Sequence, residues 1–434
     1  MTQAFPKILI LSRGVWDDTD GTSSTLTNLF QEYDPNKLAQ IYIETIAPNT
    51  KCCHRFFQIS EFSLVHKLYK WRTKTGYSID SSQESDMPLD SKIAKQEAAT
   101  MNYVRGHRSI WFTIAREFLW SFKGWKTKEL KQFIKDFDPD VVWINGATEP
   151  FLCNLCYFVL QIAHTHSVAY MQDDNYSYQS KNLLYRLFKQ YHRKTIKRVV
   201  DQCDRMFVIS PKMKREYDEI FNKNSILLTK GIDIDKLPSL NLYVHKPVKM
   251  VYMGNIIYGR IYSLLAIADA LRRLNSEETM VQLDIYTPNS VSSDIKDQLL
   301  NNGNVFIKPP VKYDEVQQII SEHDVVVFVE SFEPKYSKVA RLSFSTKITD
   351  YLSSGKCIFA VGPKDIAPIE YFMEEDAAIV ASTQDEIQEK MLMLTDPSLI
   401  ENYAVKAREC ACNNHNKDKM VKMLYGELVS LNSK

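Results

Sequence analysis

Short apolar runs alternate with amphipathic segments along most of the chain. In the first half, runs at Lys7–Ser12, Val141–Ile144, Ser167–Asp174 and Arg205–Ser210 have the length of buried strands, and helical patterns separate them. Strands that are apolar on both faces and alternate with helices are typical of a parallel sheet covered by helices. The first half of the chain therefore predicts a doubly wound α/β domain.

The same pattern restarts after a linker at Leu237–Lys249, which contains two prolines and little periodicity. Strand-like and helical segments then follow in turn, and the region Thr383–Ser430 is helical in pattern. We predict a first domain over residues 1–240, a second over residues 245–414, and a C-terminal helix at 415–434 that joins the first domain.

Two doubly wound domains of similar size imply a cleft between them. Ligands of such sheets bind at the carboxyl ends of the strands, so the loops that follow the strands are where functional side chains are expected. One stretch of the first domain, Lys51–Met101, is polar and lacks clear periodicity. We expect an inserted loop or a partly mobile segment there.

Composition and charge narrow the class of protein. The 434 residues carry a formal net charge of +1, so no global field favours nucleic acid as a partner. The N-terminal apolar run is too short for a secretion signal, and no stretch reaches the roughly 18–20 apolar residues of a spanning helix. We therefore expect a cytoplasmic protein without an integral anchor, which disfavours a periplasmic binding protein.

The eight cysteines of a chain without a secretion signal are expected to be free thiols. Cys153 and Cys156 form a C-x2-C pair, but they lie in an apolar helical pattern without a second ligand pair at zinc-site spacing. This pair predicts buried thiols rather than a metal site.

The second domain carries the most specific motif. The sequence VYMGNIIYGR ends a strand at Gly254 and Asn255 and places Arg260 a few residues later. A glycine lets backbone N–H groups approach a phosphate closely, and an arginine can neutralise its charge. Taken alone, the motif equally fits an ordinary turn with a surface arginine.

A second motif, STKITDYLSSG, begins a helix. Ser345 and Thr346 can cap its first turn, Lys347 follows, and Asp350 lies one turn inside on the same face. An anion is favoured at such a helix start, and a carboxylate placed like Asp350 suits a ribose diol. The alternative is a capped helix in which Asp350 only offsets the dipole, and this stretch alone leaves both open.

The order of the glycine turn, the later strands and STKITDYLSSGKCIFAVG resembles the nucleotide-sugar-binding domain of GT-B glycosyltransferases. The similarity is to the large retaining bacterial family (glycosyl transferases group 1) of polysaccharide and glycoconjugate assembly, over Arg205–Gly362 and more loosely at the N-terminus. The resemblance implies two Rossmann-like domains facing a central cleft, a nucleotide-diphosphate sugar as donor, a glycan or lipid-linked acceptor, and transfer with retention. Since cations and helix N-termini would hold the leaving diphosphate, no metal is expected.

In the first domain, Gly21 and Thr22 precede a predicted helix, where they would face donor phosphates or sugar; the alternative is a simple helix cap. Asp173 and Asp174 follow a strand at its carboxyl end. We predict acceptor binding or general-base work for Asp173 and an acceptor-side position for Asp174. The alternative is a pair of loop carboxylates that cap a turn.

The resemblance also implies roles for the residues of the second domain. Gly254 and Arg260 match the groups that contact the donor diphosphate, and Thr346 and Lys347 match the loop that cradles the phosphates. Asp350 matches the second glutamate of the family's Glu-x7-Glu motif, which binds the donor ribose.

The first glutamate of that motif, which faces the donor sugar, is matched best by Glu333. Glu333 and Asp350 are 17 residues apart, so the connection is longer than in the family. Glu330 is a rival for the same catalytic role.

Two basic regions predict contact with an anionic membrane. Asn175–Val200 has seven Lys and Arg and no acid, and Arg108–Trp125 has three Trp among Lys and Arg. The alternative is an ordinary amphipathic helix with a solvated basic face.

The sequence thus predicts a cytoplasmic glycosyltransferase. Two other functions stay open at this point: a GT-B-type sugar-nucleotide epimerase, and a non-catalytic sugar-nucleotide-binding partner subunit.

Overall fold

The chain folds into two compact units of α/β structure. The computed structural model describes residues 5–18, 24–82, 110–146, 149–177, 182–300, 303–312 and 315–432. Unit 1 comprises the described residues within Met1–Ile209, Met213–Lys230 and Lys419–Lys434. Unit 2 comprises those within Ser210–Lys212 and Gly231–Asp418.

Unit 1 contains an eight-stranded sheet with the order β4-β3-β2-β1-β5-β6-β7-β8. Its strands are β1 (Ile8–Leu11), β2 (Leu38–Tyr42), β3 (Arg55–Ile59), β4 (Gly76–Asp80), β5 (Val141–Asn145), β6 (His166–Met171), β7 (Arg205–Val208) and β8 (Ile226–Leu227). All neighbours are parallel except β3 and β4. The strand order reverses direction between β1 and β5, which is the switch point of this sheet.

Among the described residues, seven α-helices accompany these strands. They are α1 (Ser24–Phe30), α2 (Glu61–Lys67), α3 (Ile110–Ser121), α4 (Lys128–Phe137), α5 (Pro150–Ala163), α6 (Leu183–Val200) and α7 (Pro211–Phe221). The core is aromatic at its centre: the Trp143 ring packs edge-on against Phe30 and stacks on Phe207, each with ring centroids 5.5 Å apart. These side chains are fully buried, as expected for strands that are apolar on both faces.

The prediction of an inserted loop at Lys51–Met101 is wrong for the first part of that range. Residues 51–82 contain β3, α2 and β4, and only the remainder lies outside the described residues. The polar pattern misleads because Gln58 is buried in β3, where its side chain donates to the Glu44 carbonyl at 2.7 Å. A buried polar residue with a partner is stable but hides the strand from a hydrophobicity pattern.

Unit 2 contains a six-stranded, fully parallel sheet with the order β11-β10-β9-β12-β13-β14. Its strands are β9 (Val248–Met253), β10 (Val281–Tyr286), β11 (Val305–Lys308), β12 (Val325–Val329), β13 (Cys357–Val361) and β14 (Ile379–Ala381). Its helices are α8 (Arg260–Leu274), α9 (Ser293–Leu300), α10 (Val316–Ser321), α11 (Pro334–Ala340), α12 (Lys347–Ser353), α13 (Ala367–Glu374), α14 (Glu386–Leu392) and α15 (Pro397–Asn414). The switch point of this sheet lies between β9 and β12.

The last helix, α16 (Lys417–Asn432), contributes Met420, Leu424, Leu428 and Leu431 to the apolar core of unit 1. The main segment of unit 2 begins at Gly231, some residues before the linker at which the sequence pattern divides the two domains.

The eight cysteines are free, and Cys153 and Cys156 are buried, as predicted. Within the described ranges, no three His, Cys, Asp or Glu side chains are grouped so that they could hold a metal ion. Nor does any helix in that part of the chain have the length and apolar character needed to span a membrane.

Candidate active site

Predicted site residues follow both strands at the switch point of unit 2. Gly254 follows β9, Glu330 follows β12, and these strands are hydrogen-bonded neighbours. The carboxyl ends of adjacent strands at a switch point form the crevice in which doubly wound sheets bind ligands.

Gly254 has a conformation and a neighbour that only glycine accommodates. Its φ is +147°, and its N–H donates to the Tyr286 carbonyl at 2.9 Å. A Cβ at this position would lie 1.7 Å from Lys347 Nζ. The ammonium therefore lies directly against the backbone of the turn, where it donates to the Met253 carbonyl at 3.0 Å.

Replacing Gly254 with Ala should displace the Lys347 ammonium, because the methyl group would occupy the position of Nζ. Nucleotide binding should weaken by about tenfold or more. The backbone would also be strained by roughly 1–3 kcal/mol. Nucleotide affinity and thermal unfolding measure both effects. Gly426→Ala, within α16, is the matched control: nothing lies within 4 Å of the added Cβ. That variant should keep its affinity and unfold at a slightly higher temperature. Unchanged affinity in Gly254→Ala would contradict the assignment.

Lys347 has an unusual electrostatic environment. Burial and, to a smaller extent, the neighbouring charge of Arg260 lower its pKa from 10.5 to about 8, while Glu330 and Asp350 act in the opposite direction. The ammonium lacks full compensation from its neighbours. An anion bound beside it would supply that compensation.

Arg260, the first residue of α8, is fixed by a carboxylate. Its Nε and Nη2 donate to the two oxygens of Glu330 at 3.1 and 2.6 Å. Glu330 is buried and is itself anchored through its backbone, which bonds to Val361 at 2.8 Å and to the Ser263 hydroxyl at 2.7 Å. Such a bidentate pair holds a guanidinium in one orientation.

The start of α12 differs in detail from the predicted cap. The Thr346 side chain makes no capping hydrogen bond, and Ser345 Oγ instead accepts from the Lys347 N–H at 3.3 Å. Asp350 lies in the first turn of this seven-residue helix, close enough for its charge to raise the pKa of Lys347. Asn255, at the glycine turn, is exposed, and its carbonyl accepts from the Tyr252 hydroxyl at 2.6 Å.

The long connection between β12 and α12 contains the helix α11. Pro334 occupies the first turn, where a missing N–H costs nothing. Glu333 is exposed and precedes this helix, and its N–H donates to Ser331 Oγ at 3.1 Å. The catalytic role of Glu333 stays a prediction, whereas the Glu330 carboxylate is already occupied by Arg260.

In unit 1, the two aspartates after β6 have opposite environments. Asp173 is exposed, whereas Asp174 is buried and accepts from the Ser177 N–H at 2.8 Å and the Tyr217 hydroxyl at 3.1 Å through Oδ1. The alternative predicted for this pair, a turn-capping carboxylate, describes the Asp174 contacts. Gly21 and Thr22 lie outside the described residues.

A charged cluster that the sequence pattern does not reveal lies at the switch point of unit 1. Glu149, before α5, pairs with Arg13 after β1 and lies 3.7 Å from Arg116 of α3. Arg116 also donates to both oxygens of the buried Glu61, at 2.6 and 2.8 Å. Burial raises the pKa of Glu117 to about 7, despite the hydrogen bond it accepts from a backbone N–H of α5. Arg13 and Glu149 are 136 positions apart in the sequence, so no local motif could identify this cluster.

A known protein family matches part of the chain. Residues 86–236 match the family described as Glycosyltransferase Family 4. No curated protein matches the chain by sequence.

Solved structures show the same fold over nearly the whole chain. The pneumococcal O-GlcNAc transferase GtfA, in complex with UDP and GlcNAc, is 11% identical with a TM-score of 0.62, covering 99% of this chain and 100% of its own. TarM of S. aureus is 11% identical with a TM-score of 0.61, covering 98% and 99%. A UDP-forming α,α-trehalose-phosphate synthase from Burkholderia xenovorans is 12% identical with a TM-score of 0.57, covering 97% and 99%. The fold is GT-B, as predicted from the sequence.

Proposed function

We propose that the chain is a glycosyltransferase that uses a UDP-sugar as donor. The observation that carries the proposal is the pair of neighbouring cations, Lys347 and Arg260, beside the Gly254 turn at the switch point of unit 2. Two adjacent cations at a tight backbone turn suit a diphosphate. Structures of GtfA and TarM contain UDP, which supports uridine over other bases.

The two cations would act on the leaving group. As the bond between sugar and diphosphate breaks, negative charge grows on UDP, and fixed positive groups stabilise that charge most when they need no rearrangement. Glu330 holds Arg260 and the Met253 carbonyl holds Lys347 before the donor binds. We expect these two side chains to offset the diphosphate charge without a metal ion.

The remaining donor contacts follow from the resemblance of the second domain to GT-B glycosyltransferases. Asp350 would accept hydrogen bonds from the ribose hydroxyls, and Ser345, Thr346 and Asn255 would line the phosphates. Gly21 and Thr22 stay assigned to the donor phosphates or sugar. Among the carboxylates, we assign Glu333 to the sugar, because Glu330 already binds Arg260.

The acceptor would be a glycan or a lipid-linked sugar bound by unit 1. Asp173 would act there as the general base, and Asp174 would lie on the acceptor side. We propose retention of anomeric configuration and a role in bacterial surface polysaccharide or glycoconjugate synthesis. The protein would work in the cytoplasm, peripheral to the inner face of the cell membrane and without a nucleic-acid partner. The basic helix α6 supports such a location: it has exposed Leu183 and Leu187 and no acid.

A thermal-shift screen against UDP- and GDP-sugars tests the donor. A UDP-sugar at about 100 times its Kd should stabilise the protein by about 2.7 kcal/mol. Asp350→Ala should bind it roughly 10- to 100-fold more weakly, because charge-assisted hydrogen bonds to the ribose are lost. Asp297→Ala removes an exposed aspartate of α9 and is the control.

One outcome of this screen, and two outcomes of a turnover assay with the same donors, would contradict the proposal. A GDP-sugar that stabilises the protein while every UDP-sugar fails would exclude the uridine donor. Binding without UDP release in the presence of glycan acceptors would favour a non-catalytic binder, and sugar interconversion without any acceptor would favour an epimerase.

A further inference from the structure

Two segments of unit 1 form one continuous surface beside α2 and α3. Lys67 Nζ and Thr75 Oγ1 both donate to the Gly124 carbonyl, at 3.2 and 2.9 Å. These bonds join residues 65–75 to residues 118–128. We refer to these two ranges together as the aromatic–basic surface.

Large apolar side chains of this surface are exposed. Their exposed fractions are 83% for Tyr69, 75% for Trp71, 64% for Phe118, 54% for Phe122 and 49% for Leu68. Single exposed apolar residues are ordinary, but several aromatic rings on joined segments mark an interaction site.

The charge of the same surface is strongly positive. Its two ranges contain no Asp or Glu, and their basic residues are Lys67, Lys70, Arg72, Lys74, Lys123, Lys126 and Lys128. Burial lowers the pKa of Lys126, and the nearby charges of Lys123 and Lys131 lower it further. One flanking carboxylate, Glu129, lies near Lys67 and Lys74 and offsets only part of this charge.

Cations and rings are interleaved in space as well as in sequence. The Arg72 guanidinium lies 4.7 Å from the ring centroid of the exposed Trp71. Aromatic rings of this kind settle at the headgroup level of a bilayer, while Lys and Arg reach anionic headgroups. A protein interface of comparable aromatic content is depleted in lysine.

We propose that the aromatic–basic surface docks unit 1 onto a bilayer that contains anionic phospholipid. The surface gives the membrane partner of the proposed function a definite site, distinct from α6. The docking proposal rests on the proposed function only for its biological purpose, since vesicle binding requires neither donor nor acceptor. Failure of vesicle binding would therefore leave the transfer reaction untouched.

Vesicle flotation tests the proposal with the full chain. The protein should float with phosphatidylcholine vesicles that contain phosphatidylglycerol and not with pure phosphatidylcholine, and binding should weaken at high salt. Lys123→Gln with Lys126→Gln should reduce partitioning roughly 25-fold, about fivefold for each charge. Trp71→Ser with Phe122→Ser should reduce it by about tenfold or more.

Controls separate this surface from the alternatives. The control variant Leu392→Ser with Lys312→Gln removes one apolar side chain and one lysine of unit 2, and its partitioning should be unchanged. Thermal unfolding verifies that each variant is folded. Brominated lipid should quench tryptophan fluorescence less in Trp71→Phe than in the parent protein. Full binding by Trp71→Ser with Phe122→Ser, or its loss in a variant of α6 alone (Leu183→Ser with Leu187→Ser), would overturn the proposal. Tighter binding of a single-stranded oligonucleotide to the same surface would also overturn it.

Discussion

Replacing Lys347 with Ala should reduce donor turnover by about 10²- to 10³-fold, the range found when one fixed donor to a developing negative charge is removed. The ammonium is held by the Met253 carbonyl at 3.0 Å and lies against the Gly254 backbone, so no other side chain can take its position. Release of UDP from the donor, with acceptor saturating, measures the loss.

Lys338 provides a matched control for this variant. It is an exposed lysine of α11, in the same connection between β12 and α12. Lys338→Ala should retain the parent rate, so a general effect of lost positive charge would be visible as an equal loss in both variants. Parent-level turnover by Lys347→Ala would rule out the diphosphate site.

The pH dependence of nucleotide binding provides a second readout of Lys347. Its pKa of about 8 in the folded protein lies below the ordinary 10.5, so the ammonium loses its proton as the pH rises through about 8. Affinity for UDP should therefore fall above pH 8, and binding there should take up a proton. For the unliganded protein the sign is opposite: the unfolded chain binds more protons between these two pKa values, so this group's contribution to stability rises with pH across that interval. Lys347→Arg should bind UDP without the decline near pH 8.

The sequence pattern predicts those strands, helices and site residues whose geometry is determined by their neighbours in the sequence. Gly254, Lys347 and Asp350 belong to short motifs in which a strand or helix terminus determines the geometry within a few residues. The buried parallel strands are predictable for the same reason, because apolar runs of strand length between helices have few other folds. The strand β3 is missed because its buried Gln58 finds a partner only in the folded chain.

The pairings of charged side chains are not predictable in this way. Arg260 and Glu330 are 70 residues apart, and the cluster of Arg13, Glu149 and Arg116 spans β1, α3 and α5. Such pairs depend on strand order, which a pattern of hydrophobic positions does not specify. The sequence therefore identifies Glu330 as a free carboxylate in a loop, whereas in the folded protein it is the anchor of Arg260.

Replacing Glu330 with Ala should both destabilise unit 2 and weaken UDP binding. Removing one partner of a buried ion pair costs about 3–5 kcal/mol, since the other charge stays buried and uncompensated. The melting temperature should fall by roughly 6–20 °C for a unit of this size. Glu330→Gln, which preserves the shape and one acceptor, should lose less on both counts.

A double-mutant cycle with Arg260 distinguishes a positioning role from a catalytic one. If Glu330 acts only through the guanidinium, then adding Glu330→Ala to Arg260→Ala should cost little further UDP affinity or turnover, and the double variant should be more stable than Glu330→Ala alone. If the carboxylate instead reaches the sugar, its removal should cost the same factor in both backgrounds. The first result would leave Glu333 as the carboxylate of the connection that is available to the donor sugar, because the ion pair with Arg260 occupies both oxygens of Glu330.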